Sequence, residues 1–246
     1  MADRGKYELL FPTVLFVASD IAKRGSVMKM IVSTAIRALG IVLFAGMSHA
    51  QTPPGGVPIP TTSDFGDPGD QFGYILAADG NWAVASGSFG EAFYVYERLA
   101  NGTWTRRQRI LPPVLGQAFF RTPHLRGNRL VISRPSDPTA SPAGSGTVYV
   151  YQRNDSASPF TLNATLRPAD AQTGDRFGYG LAQTDDRIFV GASARDEGAN
   201  TDQGAVYVFL LNAGTWVQET RMSPPDAGAS ARFGQDLAFD GQDLLV

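Results

Sequence analysis

The chain has 246 residues, a formal net charge of −2, 43% hydrophobic residues and no cysteine. That composition excludes disorder along the whole length, and it excludes disulfides, thiolate nucleophiles and cysteine-based zinc sites. With 27 glycines, 16 prolines and 11% aromatic residues, it favours many short strands joined by tight turns over a helical bundle.

Met28, Lys29 and Arg37 form a basic stretch ahead of an apolar run from Ala38 to Met47, followed by Ser48-His49-Ala50. Basic, apolar and small residues in that order read as an export signal over 28–50, cleaved before Gln51. An apolar run of about ten residues is too short to span a bilayer core of roughly 30 Å. Residues 1–27 then read as an upstream-start artefact, with Met28 or Met30 the better start. The Pro- and Gly-rich segment 51–62 reads as a linker. After Gln51 there are fifteen arginines, no lysine and twenty carboxylates, a balance that disfavours a nucleic-acid partner.

From Ser63 onward four landmarks recur in one order. The first is Phe-Gly after a small or acidic stretch, at Gly69-Asp70-Gln71-Phe72-Gly73, Gly174-Asp175-Arg176-Phe177-Gly178 and Ser230-Ala231-Arg232-Phe233-Gly234, with Gln117-Ala118-Phe119-Phe120 a degenerate copy. The second is an apolar run, Trp82–Ala85, Leu130–Ser133, Ile188–Ala192 and Leu244–Val246. The third is Tyr94-Val95-Tyr96, Tyr149-Val150-Tyr151 and Tyr207-Val208-Phe209. The fourth is an aromatic residue before a proline: Trp104, Phe160 and Trp216 fall 56 residues apart, and so do Pro112, Pro168 and Pro224.

Each landmark is rich in β-branched and aromatic residues and bounded by Gly, Asn or Asp, so each reads as a strand. Asp79-Gly80-Asn81, Asp185-Asp186 and Asp240-Gly241-Gln242 mark hairpin tips between first and second strands, and Asn101-Gly102 and Asn212-Ala213-Gly214 mark those between third and fourth. The expected fold is therefore all-β, a propeller of four-stranded antiparallel blades of about 56 residues. About 3.5 copies are present, at roughly 63–113, 114–168, 169–225 and 226–246, which predicts an incomplete ring whose reading frame continues. The signature residues Phe72, Gly73, Phe119, Phe177, Gly178, Phe233 and Gly234 are expected to pack blade on blade, the aromatic ring buried and the glycine admitting a close backbone.

Phe177-Gly178, Val190-Gly191-Ala192 and Gly204-Ala205-Val206-Tyr207-Val208-Phe209 together resemble the FG-GAP repeat of integrin α heads and many exported bacterial proteins. Gly102-Thr103-Trp104 and Gly214-Thr215-Trp216 fit its bacterial variety. The resemblance implies a propeller and no particular ligand. The family often carries an Asp-x-Asp-x-Asp-Gly calcium loop between the Phe-Gly strand and the Gly-Ala strand, and here that connection has shrunk to a hairpin. Asp64, Asp67 and Asp70 form one acidic group, and Asp196, Glu197 and Asp202 another, the weak calcium candidates. No cofactor is expected.

No catalytic residue is assigned. His124 is the one imidazole after Gln51, and Ser133, Ser136 and Asp137 lie near it without a nucleophile-elbow sequence. The expected function is a non-catalytic scaffold, secreted, periplasmic or at the cell surface, for an extracellular protein or glycan and with no membrane span after signal cleavage. The alternatives are a structural spacer in a larger surface protein and, behind it, a propeller hydrolase or lyase. The connection between second and third strands varies, from Gly87–Glu91 to Ser133–Gly146 and Ala194–Gly204, and its face is the expected recognition surface. Asn101, Asn154 and Asn163 open glycosylation sequons that receive no functional weight. Loss of the calcium loop gives an outcome to check: thermal melting should barely respond to millimolar calcium or chelator, and a shift of several degrees would point back to the acidic groups.

Overall fold

The structure is a computed structural model that describes residues 14–15, 73, 75–87, 92–113, 121, 123–224, 226 and 228–246. The export signal at 28–50, the linker at 51–62, Phe72, Phe119 and the group Asp64, Asp67 and Asp70 lie outside these residues.

Among the described residues every regular element is a strand. β2 (Leu76–Asp79), β3 (Trp82–Ser86), β4 (Phe93–Arg98) and β5 (Trp104–Ile110) form the first blade. β6 (His124–Arg126), β7 (Arg129–Arg134), β8 (Thr147–Gln152) and β9 (Thr161–Leu166) form the second. β10 (Phe177–Gln183), β11 (Arg187–Ala192), β12 (Ala205–Asn212) and β13 (Thr215–Met222) form the third. β14 (Ala238–Phe239) and β15 (Leu244–Leu245) make the first hairpin of a fourth blade, and β1 (Val14–Leu15) pairs with β15 in parallel. Each full blade is an antiparallel meander in sequence order, so the architecture is an open, incomplete β-propeller.

Burial grades across each blade. The two central strands of the second blade, β7 and β8, are buried on both faces, while its outer strand β9 is exposed over most of its length. Pleating sends alternate side chains to opposite neighbours. Leu130 and Ile132 meet Val84, Phe93 and Val95 of the first blade, whereas Val131, Val148 and Val150 meet Phe177, Leu181 and Val190 of the third. The core therefore lies between blades and not within any one of them. The Phe177 ring stands edge-on to Tyr207 at 5.6 Å and to Phe209 at 5.8 Å, an arrangement that aromatic quadrupoles favour.

Two Phe-Gly pairs, Phe177-Gly178 and Phe233-Gly234, lie at blade junctions. Phe177 is fully buried, and its amide donates to the Ser145 carbonyl of the preceding blade at 2.8 Å. Phe233 repeats the bond to Gln203 at 2.9 Å. The facing residues are glycines for a steric reason: a Cβ on Gly204 would overlap the Phe233 carbonyl, and one on Gly146 would overlap that of Phe177. Gly204 also has φ +86°, a conformation costly to any residue with a Cβ.

Every outer strand carries a bulge at the same place. Arg107, Asn163 and Glu219, each 56 residues from the next, are the extra residues between the paired positions of β5, β9 and β13. The bulge turns these three side chains out of the regular ladder.

Gly204→Ala should cost about 2–6 kcal/mol, overpacking and backbone strain adding together. Gly228→Ala, where nothing lies within 4 Å of a new Cβ, should stay within about 0.5 kcal/mol of the parent. Urea titration of both variants checks the contrast, and equal stabilities would refute the contact-based account of the junction.

Candidate functional site

An antiparallel meander puts its first and third turns at one end and its middle connection at the other. The two ends of these blades do different work.

At the middle-connection end, loops that sequence variation marks as a recognition face are tied down. The carbonyls of Thr201, Asp202 and Gln203 accept from the amides of Ser230, Arg232 and Phe233, and that of Ala143 accepts from Gly174. These loops latch each blade to the next. Inside the second, Arg134 and Asp137 form a buried ion pair at 2.8 Å. Burial alone would raise the Asp137 carboxyl, but bonds from Thr139 and Thr147 and the Arg134 charge hold it below the usual range. In the third, Arg195 pairs with Asp175 at 2.8 Å, and Tyr207 donates its hydroxyl to Asp170 at 3.0 Å.

The acidic residues singled out as weak calcium candidates serve the same latch. Asp196 Oδ1 accepts from the Asp202 amide at 2.8 Å, and Glu197 meets Arg221 at 2.7 Å. Asp196 and Asp202 thus brace the loop whose carbonyls hold the next blade, and Glu197 is neutralised by a cation. Their oxygens do not fit a calcium cage. Among the described residues no group of three or more His, Asp or Glu side chains converges on one point. Asp240, at the hairpin where the family's calcium loop belongs, instead accepts from the amides of Gln242 and Asp243 at 2.9 and 2.8 Å.

At the hairpin end, turns of three blades meet. Asp79 Oδ2 accepts from the Gly127 amide at 2.6 Å, and Asp185 Oδ1 accepts from Arg126 Nε at 2.7 Å. Arg129 is a clamp between the second and third blades. Its Nε donates to Gln183 Oε1 at 2.7 Å, its Nη1 to the Asp185 carbonyl at 2.9 Å and its Nη2 to the Thr184 carbonyl. Its guanidinium stacks on the Trp216 ring at 5.0 Å. Burial pulls Arg129 down from the usual arginine range and Arg126 repels it, while Asp185 and Asp186 oppose both effects.

Around this clamp lies a groove of about 690 Å³. Asp79, Arg126, Arg129, Asp185, Gln152, Asn163, Leu211 and Trp216 are among the residues that line it. It runs between the second and third blades and opens to solvent. Sequence reading had Asp79 and Asp185 only as turn residues, Trp216 only as a repeat landmark and Asn163 only as a sequon. It did not single out Arg126, Arg129 or Gln152. The 56-residue spacing of Arg107, Asn163 and Glu219 was the available signal, but only the bulge in the structure shows those side chains turned outward.

The FG-GAP repeat family matches residues 160–209, from the residue before β9 to the middle of β12. The chain carries an FG-GAP repeat. That stretch contains the Phe177-Gly178 pair, the β10–β11 hairpin, the latch loop and Gly204. A comparison with curated proteins returned no match. Among solved structures, the crystal structure of Saccharomyces cerevisiae Sqt1 is similar at 10% identity and a TM-score of 0.40, over 65% of this chain and 38% of that one.

His124 opens β6 of the second blade. Its carbonyl accepts from Gln183 of the third blade at 2.9 Å, and burial lowers its imidazole from 6.5 to about 4. The unfolded chain therefore binds a proton that the folded chain refuses between those values. Stability is fully present above about pH 6.5 and falls as pH drops toward 4, by on the order of 3 kcal/mol at most. His124→Gln should flatten that window of the melting-temperature profile, and an unchanged slope would discount the imidazole.

Proposed function

We propose that this chain is an exported, non-catalytic scaffold that binds a glycan or protein outside the cell, through the groove at its hairpin turns. The observation that carries the proposal is the groove itself. At the hairpin end the exposed carboxylate and guanidinium of Asp185 and Arg126 lie around one concavity with the Gln152 and Asn163 amides and the partly buried Trp216 indole. Binding sites on rigid scaffolds favour such turn clusters, because loops can vary while the strands hold position.

The export reading rests on the basic, apolar and small-residue order of 28–50, and among the described residues no helix is long and apolar enough to cross a membrane. The non-catalytic reading rests on the sequence after Gln51, in which His124 is the one imidazole and no nucleophile-elbow sequence accompanies it. The excess of carboxylates after Gln51 argues against a nucleic acid. The partner is bound without a resident cofactor or metal.

Passing the secreted protein over an array of glycans and extracellular proteins tests the reading. Selective retention of some members is expected. Silence across the array would favour a spacer role instead.

A further inference from the structure

We infer that the groove between the second and third blades takes a neutral carbohydrate, held by the side-chain amides of Asn163 and Gln152. The inference rests on the binding reading above and names the ligand class.

The argument comes from comparing the same two positions in successive blades. Tyr94-Val95-Tyr96-Glu97 aligns with Tyr149-Val150-Tyr151-Gln152, and the bulge residue Arg107 aligns with Asn163. In the first blade these positions form an ion pair, Arg107 Nε to Glu97 Oε2 at 2.7 Å. In the third, the bulge residue Glu219 is likewise paired, with Arg187 at 2.9 Å. In the second blade both positions carry amides, and both face the groove. The Gln152 amide nitrogen reaches only the Arg153 carbonyl, at 3.3 Å, and no bond ties Gln152 to the exposed Asn163 among the described residues. A repeat that elsewhere neutralises its outward bulge with a partner charge here presents two uncommitted amides, each offering donors and acceptors.

The charges around them select against ions. Arg126, Arg129, Asp79 and Asp185 line the same concavity, two cations and two anions, with Arg126 paired to Asp185 at 2.7 Å. A phosphate, sulfate or polycation therefore meets no net field there. Hydroxyl groups, which donate and accept at once, suit amides and carboxylates together. Leu211 and the indole of Trp216 supply apolar surface for the C–H face of a sugar ring, with Arg129 already stacked on Trp216 to hold that ring in place. Asn163 is exposed and Gln152 only partly buried, so water satisfies their amides when no ligand is present and the empty site carries no buried unsatisfied group.

Two variants of the full secreted chain test this, Asn163→Ala with Gln152→Ala, and Asn163→Arg with Gln152→Glu. The second rebuilds the ion pair of the first blade in the same frame, so it should fold as the parent does and fill the groove. The probes are neutral oligosaccharides of glucose, galactose or N-acetylglucosamine units, with sialylated and sulfated oligosaccharides and extracellular proteins as the other arms. The parent should retain neutral members, and both variants should lose about tenfold or more in affinity with melting temperatures close to the parent's. Retention of anionic glycans or proteins alone would overturn the ligand class and leave the binding reading standing. Unchanged affinity for neutral glycans in both variants would overturn the site. Silence on every arm would overturn both readings.

Discussion

The structure depends on one close approach, the backbone of a Phe-Gly pair set against the glycine that opens the third strand of the preceding blade. Phe177 donates its amide to Ser145 and Phe233 donates to Gln203, at 2.8 and 2.9 Å, so backbone meets backbone where two sheets would ordinarily be held about 10 Å apart by side chains. Gly146 and Gly204 permit that approach because a Cβ would occupy the space of the phenylalanine carbonyl. With the backbones pinned at one edge, the remaining faces close on each other. The central strands then bury both faces, and the core becomes a property of the junctions.

A core built between blades divides the work between the two ends of each blade. The middle connections lie beside the pinned edge, and their carbonyls and arginine pairs are drawn into the junction, as with Thr201, Asp202 and Gln203. The hairpin turns lie away from it and are linked by side chains, Asp79 to Gly127 and Arg129 to the Thr184–Asp185 backbone. Side-chain links tolerate substitution better than backbone contacts, since another side chain can replace one and nothing can replace a missing Cβ. The groove between the second and third blades lies at this hairpin end.

Much of the fold was legible in the sequence. The 56-residue spacing of Trp104, Phe160 and Trp216, the alternation in Ala205–Phe209 and the hairpin tips at Asp79 and Asp185 all have local causes, in strand pleating and turn chemistry. The role of Phe177 and Gly178 could be read as well, because a buried ring beside a glycine has few other uses. The candidate site was less legible. Loop length variation drew attention to the middle-connection end, where the last residues of the second and third loops keep one latch to the next blade. Arg129 looked like any strand arginine, because its partners Gln183, Thr184 and Asp185 are more than fifty residues away and converge only through blade stacking. Asn163 and Gln152 acquire meaning only when the bulge register aligns them with Arg107 and Glu97.

The junction between the first and second blades shows how such an array absorbs a departure from its own rule. In the sequence, alignment through Tyr94, Tyr149 and Tyr207 puts Glu91 at the position of Gly146 and Gly204. The opposite edge of that junction carries bonds the others lack. Gln108 grips Phe160 from both sides, donating to its carbonyl and accepting from its amide at 2.7 Å each, whereas Ala164 and Thr220 hold the same place in the later blades. Arg153 lies over Trp82 at 3.8 Å and over Phe160 at 4.7 Å, joining both blades through one guanidinium. Stacked repeats draw their stability from nearest-neighbour interfaces. Gln108 and Arg153 therefore add side-chain attachment between the first and second blades at the edge where side chains are free to change.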